Sequence, residues 1–151
     1  MEEQVELVGR AFVDHYYHLF DKDRASLSSL YQPTSMLTFE GQRVVGAHAI
    51  AEKLSQLPFD QCQHLISTVD SQPSSAAGIV VLVSGSLRLP GEEHLLRFSQ
   101  VTSLSFPSHI FISVDEPSVE LFDLLLQMFH LVPSPGGSFF VQNDMFRLNY
   151  G

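Results

Sequence analysis

The sequence predicts an α+β fold, with helices packed on one face of a strongly bent antiparallel sheet. Three observations predict it. Apolar residues recur at helical spacing in the first third of the chain. From Cys62 onward the pattern changes to strands. Clusters of Pro, Gly and Ser punctuate the strands as turns. The chain has 151 residues, which suits one domain spanning 1–151 with a sizeable core.

Val5 to Phe20 reads as an amphipathic helix, because Val5, Val8, Phe12, Tyr16 and Leu19 follow one another at spacings of three and four. Asp23 is placed to cap a short second helix whose apolar side is Leu27, Leu30 and Tyr31, with Pro33 ending it. Ser35 to Val45 reads as a hairpin with Gly41-Gln42 at its turn. Met36, Thr38 and Glu40 share one of its faces; Leu37 and Phe39 share the other. Ala47 to Leu57 is a third helix, with Ile50, Leu54 and Leu57 on one stripe and Pro58 closing it. Strands are expected at Cys62–Val69, Ile79–Leu89, His94–Gln100, Met128–Val132 and Ser138–Leu148. The turns between them fall at Gln72-Pro73-Ser74-Ser75, Pro90-Gly91 and Pro133 to Gly137.

Composition excludes several function classes. Hydrophobic residues make up 44% and charged residues 17%, a balance that folds and argues against wholesale disorder. With 8 Lys and Arg against 17 Asp and Glu, the net charge is −9. A nucleic-acid binder needs clustered positive charge, so none is expected, and a basic protein partner suits the chain better. The single Cys62 leaves no internal disulfide and no multi-cysteine metal site. The acidic start MEEQVELVGR lacks a signal core, and no apolar run spans a membrane. The expectation is a protein of a reducing compartment, without membrane insertion.

One segment is out of character. Val101–Gln127 opens with Ser and Pro among scattered apolar residues and ends as DEPSVELFDLLLQ. Asp115 before Pro117 reads as a helix start, with Val119, Phe122, Leu126 and Phe129 at helical spacing. That helix would run into the strand at Met128–Val132, so local and global signals conflict.

The stretches AFVDHYYHLFDKDRASLSSLY, LTFEG, AEKLSQLPF, QHLISTVDSQP and FFVQNDMFRLNY, in this order, resemble the nuclear transport factor 2 family, plant members most of all. The resemblance implies a cone of bent sheet enclosing a cavity, and a homodimer joined through the sheet faces. It implies a carrier with no catalysis and no cofactor, moving between cytoplasm and nucleus through the nuclear envelope at pores. Its cargo would be the GDP-bound small GTPase Ran, and its pore contacts phenylalanine-glycine repeat nucleoporins. In the family a Glu like Glu40 lies at the cavity rim, against a basic residue of Ran. Glu92 and Glu93 fall near the position of a rim acid pair. His64 would face the cavity region. Met145 and Phe146 would line the cavity, and Asp144 is either a rim acid or a polar residue at a strand start. Val5 aligns with the Trp that animal members use for the pore repeats; this chain has no Trp.

Against the family's pattern, Val101–Gln127 interrupts the strand between LLRFSQ and MFHLV, as an unspliced intron or alternative exon would. Looping it out is one solution. In the other, Phe122–Gln127 replaces Leu95–Gln100 as the strand's first half; Asp123 on a strand face counts against that solution. Alternatives to the carrier are a lyase or isomerase on the same fold, drawing on Tyr16, Glu40, His64 and Asp144, and a splice form with impaired Ran binding. The interruption predicts lower stability and weaker dimerisation than a chain lacking 101–127. Denaturant midpoints of the two forms check this, and equal midpoints would contradict it.

Overall fold

A computed structural model describes residues 1–57, 61–88 and 122–149. Helix α1 covers Glu2–Lys22. Glu2 and Glu3 in its first turn and Lys22 in its last complement the helix dipole. A seven-residue 3₁₀ helix, Arg24–Leu30, follows directly. Strand β1 (Tyr31–Phe39) and strand β2 (Gln42–Val45) form the hairpin, and helix α2 is Ala47–Ser55. Strand β3 is Gln63–Pro73, and the 3₁₀ turn Ser75–Ala77 leads to strand β4, Ile79–Arg88. Strands β5 (Phe122–Pro133) and β6 (Phe139–Asn149) complete the sheet.

The strand order is β2-β1-β6-β5-β4-β3. Four of the neighbour pairs are antiparallel, but β1 and β6 run parallel. The expected all-antiparallel sheet is therefore mixed. The first hairpin joins the final strand rather than extending the meander.

The helices lie on one face. Buried Val13, Tyr16, Tyr17 and Phe20 of α1, Leu27, and Ile50 and Leu54 of α2 meet Leu37, Phe39, Val81, Val83, Phe129, Val141 and Phe146 from the strands. Close approach of α1 to β3 depends on Gly9. A Cβ there would stand 2.0 Å from Ser71 Oγ, well inside contact distance. Period-two alternation along β4 separates the faces: Ile79, Val81, Val83 and Leu87 are buried, whereas Leu82 is exposed.

Several boundaries differ from the sequence reading. The hairpin turn sits one residue earlier, with Glu40 (φ 49°) and Gly41 (φ 84°) at its centre. Two successive positive φ values give the turn that matches strand twist. The predicted helical run through Phe122 and Leu126 is strand instead. The slot between β4 and β6 is filled by Phe122–Gln127 continuing unbroken into Met128, with Val83 opposite Gln127 and Arg88 opposite Phe122. This is the solution that Asp123 was expected to disfavour. Continuity of the backbone decides it: a strand half contiguous with Met128 needs no loop closed within a ladder row. The strand His94–Gln100 and the Pro90-Gly91 turn lie outside the described residues.

Leu125, inside that first half, is only 3% exposed. Replacing it with Ala should therefore destabilise the protein by about 2–5 kcal/mol. Urea unfolding measures this; a loss below about 0.5 kcal/mol, typical of a surface site, would mean that Phe122–Gln127 is not in the sheet.

Candidate functional site

Glu40 stands at the tip of the β1–β2 hairpin and is half-buried. Its N–H donates to the Phe146 carbonyl at 3.1 Å, and its Oε1 accepts the N–H of Leu148. Both bonds lie on the line of the β1–β6 ladder, so the carboxylate is held at a fixed position beside β6. Beneath it, the rings of Phe39 and Phe146 stack at 4.6 Å with an interplanar angle of 5°. Lys53 from α2 reaches over the Phe39 ring at 5.7 Å and donates to Gln42 Oε1 at 2.8 Å. A non-glycine residue with positive φ is unusual and marks a position worth functional attention.

Asp144 is neither at a rim nor at a strand start. It is mid-strand, points inward and is 1% exposed. Gln127 Nε2 donates to its Oδ1 at 2.7 Å and the Tyr31 hydroxyl to its Oδ2 at 2.8 Å, with the Tyr16 hydroxyl 3.5 Å away. Tyr17 in turn donates to Gln127 Oε1 at 2.6 Å. Burial pushes the Asp144 carboxyl up to about 6, only partly offset by the bonds from Gln127, Tyr31 and Tyr16. The same burial, together with the Asp144 charge, holds the Tyr16 and Tyr31 hydroxyls well above their ordinary value.

Met145 lies on the opposite face from Phe146, since neighbours alternate along a strand. It is 48% exposed, whereas Phe146 is buried. The two do not line one cavity. Met145 instead joins Met36, Thr38, Arg43, Val80, Met128 and His130 around a shallow hollow of about 400 Å³ on the outer sheet face.

His64 faces α1. Its side chain is 1% exposed, and Nδ1 pairs with Asp21 Oδ1 at 2.6 Å. The backbone N–H of His64 donates to Asp21 Oδ2 at 2.9 Å. The imidazole packs against the rings of Tyr17 and Phe20, at 4.6 and 4.8 Å. In this position its ring is engaged with its own chain. Arg24 binds the same region together: it donates to the Leu54 and Leu57 carbonyls at 3.4 and 3.3 Å and lies 4.6 Å over the Phe20 ring. Those carbonyls close the C-terminal end of α2, where the Leu54 carbonyl also accepts the Leu57 N–H at 3.4 Å.

Val5 is half-buried and packs against the core, while the nearby Leu7 is 63% exposed. Glu92 and Glu93 lie outside the described residues. Of the four residues considered for acid–base chemistry, only Tyr16 and Asp144 come together. Glu40 is engaged with β6 and His64 with Asp21. Tyr31 and Gln127, the strongest partners of Asp144, were missed in the sequence. Strand parity was the signal that could have found Gln127, which shares a face with Phe129 and Leu131.

The architecture is that of a helix-packed, curled sheet with a buried polar cluster and a fixed carboxylate at one hairpin tip. Residues 8–115 match the family model described as the nuclear transport factor 2 domain. The chain is 50% identical over 146 residues to nuclear transport factor 2B of Arabidopsis thaliana, covering 96% of this chain and 94% of that protein. It is 51% identical over 147 residues to nuclear transport factor 2 of Oryza sativa subsp. japonica, covering 97% and 98%. Among solved structures, nuclear transport factor 2 from Cryptosporidium parvum superposes with a TM-score of 0.74 at 34% identity, covering 97% of this chain and 95% of that one. The chain belongs to the nuclear transport factor 2 family.

The buried carboxylate makes stability depend on pH. Asp144 binds its proton more tightly folded than unfolded, so its contribution is complete below about pH 4 and fades as pH rises through about 6. Across that window it removes on the order of 3 kcal/mol at 1.36 kcal/mol per pH unit. Asp144→Asn keeps the shape and removes the titration. The stability difference between the two proteins, measured by denaturant unfolding at several pH values, should move toward the Asn form as pH rises. A difference independent of pH would contradict a buried, titrating Asp144.

Proposed function

We propose that this chain is a nucleocytoplasmic transport carrier that binds GDP-bound Ran and has no catalytic activity. Support comes first from relatives named nuclear transport factor 2 that match along nearly their whole length. The observation that carries the reading is Glu40. Its carboxylate is fixed at a hairpin tip, next in sequence to Phe39 of the stacked Phe39–Phe146 pair. A negative group held in a fixed direction at a hairpin tip suits a partner that offers a basic residue. Charge then orients the partner, and burial supplies affinity. Glu92 and Glu93 are proposed to extend the acidic rim. Phe146, whose carbonyl accepts the Glu40 N–H, anchors the tip to β6, whereas Asp144 and His64 are held in the interior by other partners.

Two further contacts belong to this proposal. The outer sheet face, with Leu82 and Leu126 exposed and Met145 lining the hollow, is the surface for a homodimer. Val5, half-buried near the start of α1, is the place for phenylalanine-glycine repeats, and these contacts carry the protein between cytoplasm and nucleus. The lyase or isomerase alternative has one point in its favour, the Tyr16–Asp144 pair. Both groups are committed to bonds inside the core.

Purified chain should bind Ran loaded with GDP and not Ran loaded with GTP. Glu40→Lys should abolish binding by setting like charges together. Glu40→Gln keeps an acceptor for the Leu148 N–H and should weaken binding at least tenfold, a loss of about 1.4 kcal/mol. Unchanged affinity in Glu40→Gln would remove Glu40 from the site. Binding that emerges only on deleting 101–127 would identify this chain as an impaired splice form.

A further inference from the structure

Asp21, Cys62 and His64 meet where the end of α1 crosses the start of β3, away from the Glu40 rim. Asp21 Oδ1 is 2.6 Å from His64 Nδ1 and 3.4 Å from Cys62 Sγ. One ligand atom from each of the three residues lies within 4.8 Å of the other two. Carboxylate oxygen, imidazole nitrogen and thiolate sulfur are the three donor types that zinc accepts. Zinc bond lengths of about 2.0–2.3 Å place tetrahedral donors roughly 3.3–3.6 Å apart. The Cys62–Asp21 separation already falls there. The His64–Asp21 pair opens by less than about 1 Å to reach it.

We propose that Asp21, Cys62 and His64 form a three-ligand site for a zinc-class divalent cation, with its fourth position open to solvent.

Three independent features support the site. A polar groove of about 570 Å³ runs over these side chains, bordered by Asp14, His18, Lys22 and Gln61. It provides an entry path and room for a water as the fourth ligand. The ligands also have fixed outer contacts, as metal ligands commonly do. The His64 backbone N–H holds the free oxygen of Asp21 at 2.9 Å, and Arg24 directs a guanidinium N–H at Cys62 Sγ from 3.6 Å. Finally, the charges suit the ion. One carboxylate and one thiolate neutralise a divalent cation, and Arg24 stabilises the thiolate from behind. Lys22 and Asp14 both line the groove, so their formal charges offset there.

Coordination expels the thiol proton to solvent and requires the imidazole tautomer protonated at Nε2. Burial and the Asp21 carboxylate push the Cys62 thiol up to about 12 when no cation is bound, so the cation must compete with that proton. Hard cations such as magnesium have no use for sulfur and are rejected. This inference does not depend on the transport reading, and the experiment below is indifferent to Ran.

The test uses the full chain, stripped with chelator and kept under a non-thiol reductant. Zinc titration by calorimetry should give one cation per chain and a raised melting temperature, with no response to magnesium. Cobalt should produce a thiolate-to-cobalt charge-transfer band in the near ultraviolet. Cys62→Ser preserves size and should abolish that band and weaken zinc binding by more than about 100-fold. His48→Gln, at an exposed residue of α2, should change neither. No stoichiometric zinc binding would overturn the proposal. So would zinc binding that Cys62→Ser leaves intact, which would assign the ion to surface histidines.

Discussion

The fold is organised around one buried carboxylate. Asp144 sits on β6, and its bonds come from Tyr31 at the start of β1 and Gln127 on β5, with Tyr16 of α1 alongside. Burying an ionised carboxylate without partners costs several kcal/mol, and each charge-assisted bond recovers about 1.5–3. The group is therefore tolerable only while all these elements are in place. That links helix α1 to three strands in a single cooperative unit. Tyr17 extends the linkage by holding the far side of Gln127. The requirement is geometric as well as energetic, because a half-satisfied polar cluster is worse than an apolar one.

That requirement constrains which segment completes β5. Gln127 occupies the ladder position opposite Val83 and Phe146, facing inward. Any strand entering this slot must present a side-chain amide there, to donate to Asp144 and accept from Tyr17. Both LLRFSQ and LFDLLLQ end in Gln. Phe122–Gln127 thus brings the side-chain amide that bonds Asp144 and Tyr17. Its Leu125 falls two residues earlier on the same face and fills apolar core. The first half of β5 pairs with β4 as part of one ladder from Phe122 to Leu131.

Much of this was legible in the residues. Every described strand was found at least in part, because period-two alternation and the turn residues mark them, but the first six residues of β5 read as helix. Two kinds of information were not. The first is contact across elements: periodicity put Tyr16 on the helix stripe, but not Tyr17, whose burial follows from a distant amide. Helix spacing through Phe122 and Leu126 was real in the sequence, and the open β4 and β6 edges overrode it. The second is backbone conformation at Glu40. Turn preferences assign positive φ to Gly or Asn, so a rule-based reading moves the turn onto Gly41-Gln42. Asp144, by contrast, was within reach. It lies two residues before Phe146, so a strand that buries one side chain buries the other.

The position of Glu40 follows from the parallel β1–β6 pairing. Phe39 is the last residue of β1 and pairs with Phe146, but β6 continues to Asn149. Beyond Phe39, the inward edge of β6 has no strand beside it, and a backbone N–H there would lack a partner. Glu40 supplies one. Its own N–H keeps the ladder going to the Phe146 carbonyl, and its side-chain oxygen stands in for the next strand residue at Leu148. The αL backbone costs of order 1 kcal/mol and is offset by the bond it allows. A carboxylate held this way has one oxygen committed to the sheet, and its direction is set before any partner arrives. Preorganisation of that kind reduces the entropy lost on binding. The same bond that ends the ladder cleanly therefore gives the hairpin tip a rigid negative charge.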